Sequence, residues 1–323
     1  MGYRKFSMKR SHIAFAILGL LGAAAASAQI AGPADGYNVF IFGNGSFTGE
    51  NSETIGNLAA GGAVSLSSYS IATGITGNGS QSMTNPDPAR LVVGGMLTTY
   101  YGGSVGENGA GTIYYGGTAP VYNDGGFTSA ATVANQTLVN FSQSKTLYTN
   151  YSQQLGARTG TDLNLSGSTS LSLTGLQSGL NVIDVQDGTG GLNLSSLTLS
   201  GASNATVLIN VLGSGPVTFN YLNQQGNLGG SQVLFNFVTA SSVNVNGTLS
   251  ASILAPDAGV TASNGDLYGQ LIAGSYSGSE EIENTAFDGT LPTPVPLPSS
   301  AWLLASGLLG AGALRRRVAN IKG

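Results

Sequence analysis

A short segment of this chain repeats itself at a fixed distance. Asn246-Gly247 recurs as Asn264-Gly265, Leu249 as Leu267, and Ile253-Leu254-Ala255 as Leu271-Ile272-Ala273, each eighteen positions on. Self-similarity at so short a period is the signature of a stacked solenoid. A unit of that size cannot bury its own apolar side chains and must lay them on those of its neighbours. The lone leucines and the aliphatic pairs then read as short strands joined by turns.

A second, longer repeat supports the same reading. Leu58-Ala59-Ala60-Gly61-Gly62, followed by the alternating strand from Val64 to Tyr69, has its counterpart in Leu91-Val92-Val93-Gly94-Gly95 and the strand ending at Tyr100, 33 positions on. Glycine pairs suit tight corners where backbones approach closely. Tyr37 to Gly43 reads as a buried strand, and Thr73 to Ala89 as a loop rich in Gly, Ser, Asn and Pro. Further short strands are expected at Leu163, Leu165, Leu171 and Leu173, and over residues 180–185, 192–199, 205–212, 216–222 and 232–238. Their spacing also suits a β-sandwich; the eighteen-residue repeat selects the solenoid.

One region breaks the pattern. From Ser129 to Leu155, Ala134, Leu138, Phe141, Tyr148, Tyr151 and Leu155 form a stripe with helical spacing and no Gly or Pro interrupts it. A helix is predicted over 129–155, with Ser129 as N-cap and Gly156 as stop, packed along the solenoid flank. The fold class is therefore all-β: a parallel β-solenoid (β-helix) with one long α-helix alongside and short apolar helices at both termini.

Composition excludes most chemistry. There is no Cys, and the single His12 lies in a segment expected to be removed, so thiolate sites, His-ligated zinc and His-dependent triads are out. Of the 11 Lys and Arg, only Arg90, Lys145 and Arg158 lie in the body of the chain, which carries all 15 carboxylates. Such a body cannot supply the phosphate contacts of nucleic-acid binding.

The ends read as addresses. Residues 1–28 have a basic start, an apolar run from Ile13 and a small-residue cleavage site at Ala26-Ser27-Ala28, the layout of a signal peptide. Signal peptidase is the expected partner there. Residues 292–298 form a proline-rich linker, and residues 299–323 an apolar helix with a basic tail. Sixteen apolar or small residues from Ser299 to Leu314 make a helix of about 24 Å, a short membrane span. The alternative is a plain C-terminal anchor. Val295-Pro296-Leu297-Pro298, the helix and Arg315-Arg316-Arg317 together resemble the PEP-CTERM sorting signal, although no Glu stands between the prolines. That resemblance implies a Gram-negative bacterium, processing by an exosortase-type membrane protease, and delivery to the cell surface or beyond.

Blocks along the body resemble the choice-of-anchor A domain of secreted bacterial proteins. They are residues 37–43, 56–62 with 69–71, and 91–95; then 252–256, 264–265, 269–273 and 281–284. The resemblance covers about residues 36–291, within a domain expected over 29–291, and implies an adhesive surface module without enzymatic activity; association with exopolysaccharide or a biofilm matrix is the expected setting. The helix-beside-solenoid layout is also similar to the bacterial ice-binding fold.

Candidate sites are few. Asp184 with Asp187-Gly188, and Glu280, Glu281 and Glu283, are acidic clusters that neither repeat nor fit a calcium-loop pattern, so no cofactor is expected and Ca2+ is the one ion left open. Paired carboxylates leave open a carbohydrate-active lyase or hydrolase on the same scaffold. Tyr100, Tyr101, Tyr114 and Tyr115 sit in a Gly-rich stretch and form a candidate stacking surface for sugars, or else pack beneath the helix. Rows of Ser, Thr and Asn on flat faces would suit an ordered surface, ice included, although no regular Thr-x-Thr ladder is visible.

Overall fold

The computed structural model describes residues 30–74, 89–106, 112–123, 127–128, 132–135, 138–186 and 191–294. Both expected terminal helices, and the sorting and cleavage residues within them, lie outside these. Among the described residues no helix is long and apolar enough to cross a membrane.

Both sequence repeats are rungs of a parallel coil. Ile253, Leu254 and Ala255 pair with Leu271, Ile272 and Ala273, and Leu249 bridges Leu267. Leu58, Ala59 and Ala60 pair with Leu91, Val92 and Val93. At the corner between these rungs Gly95 rides on Gly62, where an added Cβ would lie 2.7 Å from the Gly62 carbonyl carbon. Only glycine permits that approach.

The pairings sort into three faces. Sheet A runs from Thr161–Asn164 through Gly179–Gln186, Ala205–Val211, Val233–Phe237, then 252–255 and 271–273. It continues into Val39–Ile41, Leu58–Ala60, Ala89–Val93, Thr112–Tyr115 and Thr132–Asn135. Sheet B comprises residues 192–194, 217–220, 243–246, 259–263, 275–278, 45–48, 64–67, 97–100 and 121–122. Sheet C comprises residues 170–173, 196–199, 223–226, 249, 266–268, 281–283, 52–54, 69–71 and 105. Between the two end coils the chain runs A, B, C in each turn.

The order of coils is not the order of sequence. The first described strand, Val39–Ile41, lies in the middle of the stack; from it the chain winds outward to Thr132–Asn135, crosses back through the helix and restarts at the far end with Thr161–Asn164. It then winds inward until Leu271, Ile272 and Ala273 meet Val39, Phe40 and Ile41. That seam is stitched by buried Gln270, whose Nε2 donates to the Ala34 and Tyr37 carbonyls and whose Oε1 accepts from Ile30 N. Asn38 Nδ2 donates across it to the Gly269 and Glu283 carbonyls.

Sheet A is apolar on both sides. Val39, Ile41, Leu58, Leu91, Ile209, Phe235 and Leu271 fill the coil interior, while Phe40, Val92, Leu208, Leu234, Leu254 and Ile272 face outward and are buried too. The helix α1, Phe141–Gly156, covers that outer side with Tyr148, Tyr151 and Leu155. The Tyr148 hydroxyl accepts from Ala34 N, and burial pushes its ionisation upward. Asp184, Asn210 and Asn236, stacked in register on this face, meet the C-terminal half of α1. Asn236 Nδ2 donates to Ser152 O and to Asn210 Oδ1, each at 2.9 Å. Asn210 Nδ2 donates to Leu155 O at 3.1 Å and to Asp184 Oδ1 at 2.8 Å.

The helix is shorter than its apolar stripe predicts. It starts at Phe141, capped by Asn140, whose Oδ1 accepts from Gln143 N; residues 132–135 are instead the last strand of sheet A. Thr132 and Val133 are β-branched, and pairing their backbone with Thr112 and Ile113 satisfies an edge that would otherwise stay open. Ala134 therefore matched the helical spacing by accident of position.

Candidate adhesive surface

Sheet B alternates strictly, and alternation decides which side chains reach water. Leu192, Val217, Val243, Val260, Tyr276, Val64 and Leu97 point into the core from consecutive rungs, as do Leu194, Phe219, Val245, Ala262, Phe47 and Leu66. The residues between them point out. In register, Asn193, Thr218, Asn244, Thr261, Ser277, Ser46, Ser65 and Thr98 form one continuous outward ladder ending beside Val121.

A second outward ladder flanks it, with Asn220, Asn246 and Ser263 in one part and Thr48, Ser67 and Tyr100 in another. Neighbouring polar groups bond along the ladders: Thr261 Oγ1 to Asn244 Oδ1 at 3.2 Å, and Asn264 Nδ2 to Asn246 Oδ1 at 2.9 Å. The result is a flat lattice of small hydrogen-bonding groups, about 4.8 Å apart along the solenoid axis. Rows of Ser, Thr and Asn on flat faces are expected from the sequence, but not their alignment: these rungs are separated by 25, 26, 17, 16, 19, 33 and 23 residues, and by 231 at the seam, and the positions exchange Ser, Thr and Asn freely. The available signal was the alternation within each strand, as in Val217-Thr218-Phe219-Asn220 and Val243-Asn244-Val245-Asn246.

Sheet C and its corners carry a cluster of acidic residues. Asp266 pairs with Glu281, and Thr54 with Ile282, which sets Glu53 beside Glu281. Burial first, then repulsion from neighbouring carboxylates, raises the ionisation of Glu281 and Glu283. Glu280 differs: it turns inward at the B–C corner, is 1% exposed, and neither oxygen has a hydrogen-bond partner of good geometry. Burial pushes its carboxyl up to about 8, an effect the Ser263 backbone offsets only in part. Glu280, Glu281 and Glu283 thus do not converge, and among the described residues no three His, Cys, Asp or Glu side chains form a metal cluster. Asp184 holds Asn210 under the helix, and Asp187-Gly188 lies outside the described residues.

The four candidate tyrosines separate into two pairs. Tyr100 and Tyr101 stand at the corner between sheets B and C with ring centroids 6.3 Å apart, and Tyr101 is the most exposed large apolar side chain among the described residues. Tyr114 and Tyr115 belong to sheet A, where Tyr114 pairs with Val92 and packs, half-buried, against the layer under the helix.

A family described as "Putative Ice-binding-like adhesive domain" matches residues 30–284. The chain belongs to this family. The ice-binding-like adhesive domain therefore takes in every coil described above, seam and helix included. Two solved structures are similar to it: a glycosylated ice-binding protein (LeIBP) from an Arctic yeast and an ice-binding protein from an Antarctic biological consortium. The first is 16% identical with a TM-score of 0.41, covering 85% of this chain and 98% of that one. The second is 16% identical with a TM-score of 0.35, covering 82% and 92%. No curated protein matches. The family is described as one of adhesive domains, which fits a surface binder.

Proposed function

We propose that this domain adheres to an ordered polar surface through sheet B, as a non-catalytic module outside the cell. The observation that carries the reading is the unbroken outward ladder of Ser, Thr and Asn, held flat by buried partners on the other side of the same strands. Each hydrogen bond exchanged from water to such a surface contributes only about 0.5–1.5 kcal/mol. A rigid lattice makes many at once without the cost of ordering loops or long side chains. Ice and crystalline polysaccharide both present hydrogen-bonding oxygens at fixed spacing, and both belong in the assay.

The test places a bulky group in the middle of the lattice. Thr261→Tyr should leave the melting temperature within about 2 °C, since the position is exposed, yet lower adsorption to ice or crystalline cellulose at least ~tenfold. Undiminished adsorption to both would sink the reading.

Delivery is part of the same proposal. Signal peptidase would cut after Ala28, and an exosortase-type protease would act at the tail carrying Val295 to Pro298 and Arg315 to Arg317, leaving the domain at the surface among exopolysaccharide or matrix. Deleting residues 295–323 should move the protein from the membrane and surface fractions to the medium or periplasm. An unchanged distribution by immunoblot would refute the sorting role.

A further inference from the structure

The two most exposed large hydrophobic side chains among the described residues are both tyrosines with a left-handed backbone: Tyr101 (φ 58°, 71% exposed) and Tyr221 (φ 46°, 66% exposed). They hold equivalent places in different coils, at the corner where sheet B turns into sheet C. Gly247, Asn264, Gly49 and Ser68, stacked between them at that corner, also have positive φ. Gly247 sits directly on Tyr221, where an added Cβ would lie 3.1 Å from the Tyr221 Cα, and Ser68 Oγ donates to the Tyr101 carbonyl at 3.0 Å.

In every rung of this stretch but that of Ser279 and Glu280 the corner thus takes a left-handed turn, which Gly or Asn adopts at least cost. A tyrosine there is strained, and neither ring recovers the strain by burial. Strain retained in a bulky, solvent-facing residue points to a task for its ring.

Beside Tyr101 the surface is concave. Glu50, Ser52, Glu53, Ser68, Ser70 and Tyr101 line a groove of about 620 Å3 on the sheet C side. One wall is an aromatic face; the rest is hydroxyls and two carboxylates, and none of Arg90, Lys145 and Arg158 lines it. A pyranose ring has this complement: an apolar C–H face to lie on an aromatic ring and hydroxyls to donate to acceptors. The carboxylates oppose a sugar acid.

A second groove, of about 610 Å3, starts at Leu222, the residue after Tyr221, and has Asn223, Gln225, Thr248 and Tyr268 in its walls; Tyr221 stands beside it and does not line it. Six rung-to-rung steps in register lead from Tyr221 to Tyr101, roughly 29 Å at about 4.8 Å each. That is the reach of a polymer, not of one sugar. We infer that the corner between sheets B and C binds a linear, non-acidic polysaccharide lying along the solenoid axis and stacking on Tyr101 and Tyr221. This goes beyond the adhesion assigned to sheet B and does not depend on it.

Affinity electrophoresis of the full chain through gels carrying hydroxyethyl cellulose, chitosan or polygalacturonate tests the inference. The first two should retard the protein and polygalacturonate should not. Tyr101→Gly and Tyr221→Gly should each weaken retardation at least ~tenfold while leaving the melting temperature unchanged or raised, because glycine accepts the left-handed turn. A destabilised, misfolded variant would lower it instead. Thr261→Tyr, placed on sheet B, should retain glycan retardation. The inference falls if no glycan retards the chain, if polygalacturonate alone does, if the double variant Tyr101→Gly/Tyr221→Gly binds as before, or if Thr261→Tyr abolishes retardation.

Discussion

Sheets A and B are wound from the same coils, yet one is sealed and the other open. In sheet A every residue of Ala205–Val211 and Val233–Phe237 is buried, and the polar column of Asp184, Asn210 and Asn236 is closed off by the carbonyls and a hydroxyl of α1. In sheet B, Ser242–Asn246 alternates, and its Asn244 shares a hydrogen bond with Thr261 at the solvent edge. Stacking asparagines in register thus has opposite uses. Where the flanking residues are apolar, the column must find protein partners and locks a helix in place; where they alternate, it is left to meet something outside.

The comparison breaks most visibly where a polar group is buried without partners. Glu280, at the end of sheet B, is such a place, with Tyr276 and Asp266 the titratable groups that act on it. Its folded ionisation, raised to about 8 from 4.5, makes the charged form costly in the fold. Below pH 4.5 the carboxyl is neutral in both states and costs nothing. Between 4.5 and 8 the unfolded chain ionises while the fold holds the proton, so stability falls as pH rises, by up to about 1.4 kcal/mol per unit. Above 8 the loss is complete and level. Glu280→Gln should flatten most of that slope in urea melts run from pH 4 to 9, with Glu281 and Glu283 leaving a smaller slope of the same sign. A profile identical to wild type would show that Glu280 meets water.

Next in size is the contrast between the two asparagine columns. Asn236→Ala strips Ser152 O and Asn210 Oδ1 of their donor and should cost about 2–3 kcal/mol in denaturant unfolding. Asn244→Ala, in the open column, should stay within about 0.5 kcal/mol. Equal losses at the two positions would mean that sheet B is covered by protein after all.

Much of the winding was legible before any coordinates. The predicted runs 192–199, 205–212, 216–222 and 232–238 correspond to Leu192–Gly201, Ala205–Val211, Pro216–Gly226 and Val233–Phe237, because a strand declares itself by local alternation and by its bounding turns. The repeats gave true register because adjacent rungs are adjacent in sequence. The start of α1 was not legible. Ala134 and Leu138 fit a helical stripe, and only the free edge at Thr112–Tyr115 made a strand of residues 132–135 the better outcome. Nor was the fate of the tyrosines: Tyr100-Tyr101 at the corner of sheets B and C and Tyr114-Tyr115 on sheet A are set apart by the pass through sheet C at residues 103–105.

What the sequence by itself determined is the coil: short alternating strands, glycine corners that let backbones touch, and an acidic body poor in Lys and Arg and without Cys, the single His12 standing in the segment read as a signal peptide. The tertiary structure alone decided where the coils lie in the stack. Leu271 rests on Val39 across more than two hundred residues, a contact that leaves no period in the chain. The same long-range stacking aligns Thr218, Thr261, Ser46 and Thr98 into one ladder, since a surface built from rungs of unequal length exists only once those rungs are piled.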